Sequence, residues 1–158
     1  MNESPQSRAR ARALRILAAR PRTEAQMRER LVRAGFADEA DGVVAWLREL
    51  RYLDDAAFAR DRAASLTAVG RLGPRLAERR LVAAGIAPED ARRAVREAIG
   101  GDEIARCRTI AQRRARGELG KLDPREMARL SRFLLGRGFS GQTVSAVLRV
   151  YVDDAEDR

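Results

Sequence analysis

The sequence lacks histidine altogether and contains a single cysteine, Cys107. Without histidine the chain has no residue of the type that most often serves as a general base or a metal ligand. One cysteine cannot form an intrachain disulfide, as is typical of intracellular proteins. Aromatic residues make up only 4% of the chain, which argues against nucleic-acid recognition by base stacking. These shortages argue against an enzyme and against a disulfide-stabilised secreted domain.

Long apolar stretches are also missing. No segment is long enough to cross a bilayer as a helix, and residues 1–7 lack the apolar core of a signal peptide. Residues 70–74 contain two glycines but not the Gly-Lys-Ser/Thr ending of a phosphate-binding loop. We therefore expect a cytoplasmic protein that has no membrane partner and binds no cofactor.

Alanine, arginine, glutamate and leucine are abundant, whereas β-branched and aromatic runs are scarce. The four abundant residues all favour helices. The composition therefore predicts an all-α fold with cores built from leucine, valine, isoleucine and alanine.

The formal net charge is +9, and almost all of the positive charge comes from arginine because Lys121 is the only lysine. Such a charge favours a polyanionic partner, since each phosphate contact releases condensed counterions. The preference for arginine over lysine is consistent with phosphate binding and also with a GC-rich genome. Both interpretations stay open.

A short pattern occurs three times, at residues 31–36, 81–86 and 134–139. In each copy an apolar run ends in a glycine that a large apolar residue follows at once. Glycine adopts the left-handed conformation that ends many helices, and the next apolar residue packs against the last turn. Gly35, Gly85 and Gly138 are therefore predicted helix C-caps. Their nearly constant spacing indicates a tandem repeat.

Helix start signals flank the three patterns. Capping boxes begin at Thr23 and Asp123, and Pro74 lies at a first helical position. Further helices are predicted upstream, at about residues 8–19, 55–68 and 102–117. The prediction is an elongated array of three tandem three-helix repeats with about nine helices. The repeats span residues 8–53, 54–100 and 101–153, and an acidic tail covers residues 154–158.

The chain resembles the RecX family, bacterial regulators of the RecA recombinase. The most specific segment is Tyr52-Leu53-Asp54-Asp55-Ala56-Ala57-Phe58-Ala59-Arg60, at the joint between the first two repeats. The segments 13–17, 73–76 and 134–140 match in order and spacing, so the resemblance covers about residues 8–152. Arg51 departs from the family, which usually has glycine there. It either lengthens the preceding helix or adopts a left-handed conformation.

The resemblance implies a modulator that binds the RecA nucleoprotein filament, and we expect the protein to be a monomer. Relatives lodge in the helical groove of the filament, depress ATP hydrolysis and strand exchange, and hinder filament growth. The resemblance leaves open whether single- or double-stranded DNA is contacted directly or only through RecA. The alternatives are a stand-alone DNA- or RNA-binding module, such as a helix-turn-helix regulator, and a passive protein-binding scaffold.

Asp54 and Asp55 form a carboxylate pair that needs an explanation. Adjacent residues on a helix face different directions, and no third ligand lies at metal-binding spacing. We interpret the pair as a helix N-cap, where negative charge is favoured. Tyr52, Leu53 and Phe58 are then predicted to be a packed hinge between repeats.

The remaining candidates for a functional surface are arginines. On helices they form stripes that an elongated polyanion would contact, although a solvated surface explains each one taken singly. The predicted filament or DNA contacts are Arg8, Arg12, Arg15, Arg71, Arg75, Arg79, Arg80, Arg106, Arg113, Arg114, Arg116, Arg125, Arg129 and Arg132. Arg75, Arg79 and Arg80 are predicted to share one exposed side of their helix.

Overall fold

The computed structural model describes residues 4–68, 72–115, 119 and 122–156, and only the backbone of residues 150–156. These residues form nine α-helices and no strand, which confirms the all-α prediction. The helices are α1 (Pro5–Ala19), α2 (Glu24–Arg33), α3 (Ala40–Glu49), α4 (Asp55–Thr67), α5 (Pro74–Ala83), α6 (Pro88–Ile99), α7 (Glu103–Ala115), α8 (Pro124–Gly136) and α9 (Gly141–Glu156).

The helix starts follow the predicted signals. Thr23 and Asp123 each accept a hydrogen bond from the amide three residues on, and the glutamine or glutamate there completes a capping box. Pro74 and Pro124 occupy the first position of α5 and α8, where the missing proline N–H costs no helical hydrogen bond. Local chemistry therefore accounts for where these helices begin.

The helices pack in consecutive triplets, and each triplet surrounds its own apolar core. The first bundle (α1–α3) is centred on Met27, Leu31 and Leu47. Leu81 and Val95 lie in the core of the second bundle (α4–α6). The core of the third bundle (α7–α9) contains Leu130, Leu134 and Val147. This arrangement confirms the three tandem three-helix repeats, while the exact boundaries between repeats stay a prediction. Residues 154–156 of the predicted acidic tail belong to α9, and residues 157–158 lie outside the described residues.

The middle helix of every bundle ends in the same turn. Gly35, Gly85 and Gly138 have φ angles of 85°, 94° and 95°. The amide of the apolar residue that follows each glycine donates to a carbonyl five residues back, at 3.0, 3.1 and 3.3 Å. This Schellman geometry satisfies carbonyls that the end of a helix leaves free.

The bundles meet where the start of one middle helix contacts the terminal turn of the next. In the first joint, between the first and second bundles, the Thr23 hydroxyl at the start of α2 donates to the Ala84 carbonyl at the end of α5 (2.5 Å). In the second joint, between the second and third bundles, the amides of Gly73 and Arg75 at the start of α5 donate to the carbonyls of Arg137 and Gly138, at 2.7 and 3.1 Å. The same type of contact therefore joins the bundles twice.

The segment after α3 turns at Arg51, which has a φ of 56°. Of the two alternatives for this position, the structure shows the left-handed residue, since α3 ends at Glu49. The amides of Tyr52 and Leu53 both donate to the Leu47 carbonyl, at 2.9 and 3.3 Å. The turn buries Leu53 in the first core.

Candidate nucleic-acid interface

The predicted arginine stripe of the first bundle lies on the exposed side of α1. Arg8, Arg12 and Arg15 are exposed, while Ala9 and Ala13 on the same helix are fully buried. The three guanidinium groups are thus available to solvent and to a partner.

Arg10 on the same helix has a structural role. Its guanidinium lies over the ring of Trp46, 4.7 Å from the ring centroid, and the half-buried Trp46 packs against the first core. A cation above an aromatic face is attracted by the ring quadrupole.

The arginines of α5 do not share one groove. Arg75 and Arg79 line a groove of about 880 Å³ at the second joint, together with Arg92 and Leu135. Arg80 instead lines a different cleft, at the first joint. Residues four apart on a helix point in similar directions, whereas the next residue is rotated by about 100°. All three side chains are exposed, but Arg80 lines a different cleft from Arg75 and Arg79. That they form one contact surface stays a prediction.

The third bundle carries the other described candidates. Arg113 and Arg114 on α7 are exposed, and Arg106 is half-buried. On α8 the exposed candidates are Arg125, Arg129 and Arg132. The Arg114 guanidinium lies 5.1 Å from the centroid of the Phe133 ring. Arg71 and Arg116 lie outside the described residues.

Ion pairs separate the arginines into two groups. Several surface arginines are paired with carboxylates in the described part of the chain, namely Arg28 with Asp41, Arg33 with Glu29, Arg48 with Glu24, Arg92 with Glu89 and Arg93 with Asp90. None of the predicted contact arginines that the structure describes appears in these pairs. Exposed pairs of this type stabilise a fold little, but they do neutralise local charge. The described candidates therefore belong to the unpaired group, together with exposed arginines that were not predicted as contacts, such as Arg30, Arg60 and Arg96.

Three further arginines line a cleft but were not predicted as site residues from the sequence. Arg20 and Arg22 lie in the connection between α1 and α2, Arg62 lies on α4, and all three line the first-joint cleft beside Arg80. Burial, followed by the positive charges of Arg30 and Arg20, lowers the pKa of Arg22. Helical periodicity gave no signal for them, because two lie in a loop and the cleft forms only between bundles.

The segment 52–58 has several different roles. Asp54 caps α4 by accepting from the Ala57 amide at 2.8 Å. Asp55 instead crosses the first joint and accepts from the Glu24 amide at the start of α2, at 2.9 Å. Leu53 is buried in the first core, and the half-buried Phe58 packs against the second. Tyr52 is 59% exposed, so the prediction that it packs at the hinge is wrong: the Arg51 turn buries Leu53 and leaves Tyr52 in solvent.

Burial is the largest influence on the Asp55 carboxyl and raises its pKa. The hydrogen bond from the Glu24 amide opposes this shift, and the negative charges of Glu24 and Asp54 add to it. Asp55 thus accepts a backbone hydrogen bond across the joint although burial disfavours its charged form.

The single cysteine and the acidic side chains are the remaining reactive or metal-binding candidates in the described residues. Cys107 is fully buried, and burial raises the pKa of its thiol to about 11. No cluster of three or more cysteine, aspartate or glutamate side chains in the described ranges could hold a metal ion. Within the same ranges, no helix is both long and apolar enough to span a bilayer.

The chain resembles known proteins in both sequence and fold. Residues 9–47 match the RecX first three-helix domain, and residues 101–148 match the RecX third three-helix domain. The "Regulatory protein RecX" chains of Salmonella typhimurium and Salmonella typhi are each 32% identical over 154 residues, or 90% of this chain and 90% of theirs.

Two solved structures have a similar fold. The crystal structure of RecX from Lactobacillus salivarius has a TM-score of 0.79 at 17% identity and covers 98% of both chains. A crystal structure of "regulatory protein RecX" also has a TM-score of 0.79, at 20% identity, and covers 92% of this chain and 73% of the other. At these identities the structures are evidence for the fold alone.

Proposed function

The chain belongs to the RecX family of regulatory proteins, and on that premise we propose that it binds the RecA nucleoprotein filament and inhibits it. The inhibition lowers ATP hydrolysis and strand exchange and limits filament growth during recombination and DNA repair. The protein acts as a cytoplasmic regulator rather than as an enzyme.

The observation that carries this proposal is the distribution of unpaired arginines. All three bundles expose arginines that no described carboxylate neutralises, in addition to the ion-paired arginines of the first two bundles. A series of bundles presents such charges to an extended polyanionic assembly. Each contact between an arginine and a phosphate releases counterions, and this release favours binding.

The test is a DNA-dependent RecA ATPase assay. The purified protein is added at ratios from well below one per RecA up to equality, and filament lengths are measured by electron microscopy. We expect hydrolysis to fall and filaments to shorten as the ratio rises. Unchanged hydrolysis together with unchanged filament length would contradict the proposal.

The main alternative is a stand-alone DNA- or RNA-binding module of the helix-turn-helix type. It predicts protection of a defined sequence in a footprinting assay without any RecA present, together with an unaltered RecA ATPase. The filament proposal predicts the opposite on both counts.

A further inference from the structure

A cleft of about 530 Å³ lies at the first joint. Its walls come from the connection between α1 and α2, from the start of α2, from α4 and from the end of α5. Both the first and the second bundle therefore shape it. Clefts of several hundred Å³ at the boundary between two structural units are common binding sites.

Positive charge dominates the lining of this cleft. Four arginines line it, and we call them the cleft arginines: Arg20, Arg22, Arg62 and Arg80. Asp61 is the single carboxylate in the lining. No carboxylate of a described residue forms an ion pair with any of the four, in contrast to Arg33 or Arg93 elsewhere on the same bundles.

Arg22 has a buried nitrogen atom without a hydrogen-bond partner in this cleft. Its side chain is half-buried, and no described residue accepts a hydrogen bond from its buried Nε atom. The Nε atoms of Arg10 and Arg108 are also unpartnered, but Arg10 is stabilised by the Trp46 ring. Burial and the positive charges of Arg30 and Arg20 all disfavour the charged form of Arg22. A bound anion would supply both the missing acceptor and the missing negative charge.

We propose that this cleft binds the phosphodiester backbone of a single nucleic-acid strand through the cleft arginines. The guanidinium group matches a phosphate with two parallel N–H donors, a geometry that an ammonium group cannot offer. The half-buried side chain of Phe58 forms part of the same wall and offers an apolar surface to a sugar.

An extended polyanion fits this site better than a small anion does. Arg30 is not part of the lining but is near enough for its positive charge to lower the pKa of Arg22. A strand that extends past the cleft on this side therefore meets a further cation, and each additional phosphate contact adds counterion release.

The test measures the anisotropy of a fluorescein-labelled oligothymidylate with the full chain alone. The cleft variant carries Arg62→Gln and Arg80→Gln. The control carries Arg33→Gln and Arg93→Gln, which change the net charge equally but lie outside the cleft. We expect the cleft variant to bind about tenfold more weakly, with a salt dependence lower by about two counterions, and the control to change less than about twofold.

Two results would contradict the proposed site: an equal loss of oligonucleotide affinity in both variants, or an unchanged affinity of the cleft variant. Urea unfolding of both variants keeps the comparison interpretable, because exposed arginines leave the cores intact and similar midpoints are expected. If the cleft variant unfolds earlier, Arg62→Lys with Arg80→Lys retains the charge and is expected to recover part of the affinity; no recovery in a folded variant would again contradict the site.

Competition distinguishes the possible sources of the anion. At constant ionic strength, neither inorganic phosphate nor poly-L-glutamate of matched charge is expected to displace the oligonucleotide fully. Displacement by phosphate would indicate a free-phosphate site, and displacement by poly-L-glutamate would indicate an acidic protein segment as ligand. Either result would overturn the proposal.

The choice of a nucleic-acid ligand rests on the proposed function. Because the binding assay contains no recombinase, the proposed function and the proposed binding site can fail separately. A normal RecA ATPase in the presence of the wild-type chain, with a tenfold loss of oligonucleotide binding in the cleft variant, would contradict only the regulatory function. Inhibition of the ATPase with no effect of the cleft substitutions on DNA binding would contradict only the site.

Discussion

The turn that ends α2 and the turns that end α5 and α8 share one backbone geometry but have different neighbours. A Cβ atom at Gly35 would meet nothing within 4 Å. At Gly85 it would lie 2.4 Å from the Ala25 Cβ, and at Gly138 it would lie 2.4 Å from the Leu76 Cβ. All three glycines end a helix, but only two also leave room for the start of another bundle's middle helix. A repeated sequence feature can thus serve the fold locally in one copy and the assembly of bundles in the others.

The starts of the three middle helices differ in a parallel way. The N-terminal amides of α2 are satisfied by side chains, including Asp55 from the second bundle. The N-terminus of α5 has no side-chain cap and uses backbone carbonyls of the third bundle. The N-terminus of α8 is closed by its own capping box of Asp123 and Glu126, both exposed. Only the last of the three is independent of a neighbouring bundle.

The largest effect is expected from Gly138→Ala. The new methyl group would approach the Leu76 Cβ and amide nitrogen to 2.4 and 2.5 Å, and the φ of 95° disfavours any L side chain. Strain and loss of the second joint together should lower the free energy of unfolding by roughly 2–3 kcal/mol, measured by urea unfolding. Small-angle scattering should show a larger maximum dimension; an unchanged dimension and stability would mean that the joint tolerates the methyl group.

Gly73→Ala isolates the close approach from the backbone strain. Gly73 has an ordinary φ of −77°, yet a Cβ there would lie 2.6 Å from the Gly138 carbonyl carbon. We expect a loss of about 1–2 kcal/mol in urea unfolding, because the second joint must open. The matched control is Gly136→Ala, in α8 with open space around it, where alanine should stabilise by about 0.5–1 kcal/mol. Equal behaviour of the two variants would contradict a role for the joint.

Gly35→Ala tests the opposite case, in which the backbone is strained but no other bundle contacts the glycine. The φ of 85° remains unfavourable for alanine, but no atom needs to move. The expected loss is about 1 kcal/mol, with no change in the scattering dimension. A loss as large as that of Gly138→Ala would show that the close approach of Leu76 to Gly138 adds nothing to the cost of that substitution.

The smallest effect is expected at Asp55, across the first joint. The pKa of Asp55 is higher in the folded protein than in the unfolded chain, so the protonated carboxyl stabilises the fold at low pH. This stabilisation is lost as the pH rises through the pKa that Asp55 has in the folded protein. Asp55→Asn keeps an acceptor without the charge, so at pH 7 it should stabilise by less than about 1 kcal/mol. This gain in stability over the wild type should disappear in unfolding experiments at a pH below the pKa of Asp55 in the unfolded chain.

Asp55→Ala is the matched control at this position. It leaves the Glu24 amide without its acceptor, which should cost about 1 kcal/mol at neutral pH. If the alanine and asparagine variants have equal stability at pH 7, the hydrogen bond across the joint is unimportant.

Much of the fold was predictable because its signals are local. The C-terminal glycines, the capping boxes at Thr23 and Asp123 and the proline at position 74 act within one helical turn. The candidate interface was only partly predictable. Helical stripes indicated the exposed side of α1 with Arg8, Arg12 and Arg15, whose contact role stays a prediction. Periodicity cannot indicate arginines such as Arg20, Arg22 and Arg62, which meet across a joint. Tyr52 was misjudged because the left-handed turn at Arg51 decides which neighbour is buried.

By itself, the sequence determined the all-helical class, the three repeats, the ends of the middle helices and the excess of positive charge. These properties follow from composition and from interactions between residues a few positions apart. Only the tertiary structure decided that Gly85 and Gly138 also make room for a neighbouring bundle while Gly35 does not. It also decided that arginines from α1–α2, α4 and α5 line one cleft. The physical reason is that both features depend on distances between atoms of different bundles, which no local pattern encodes.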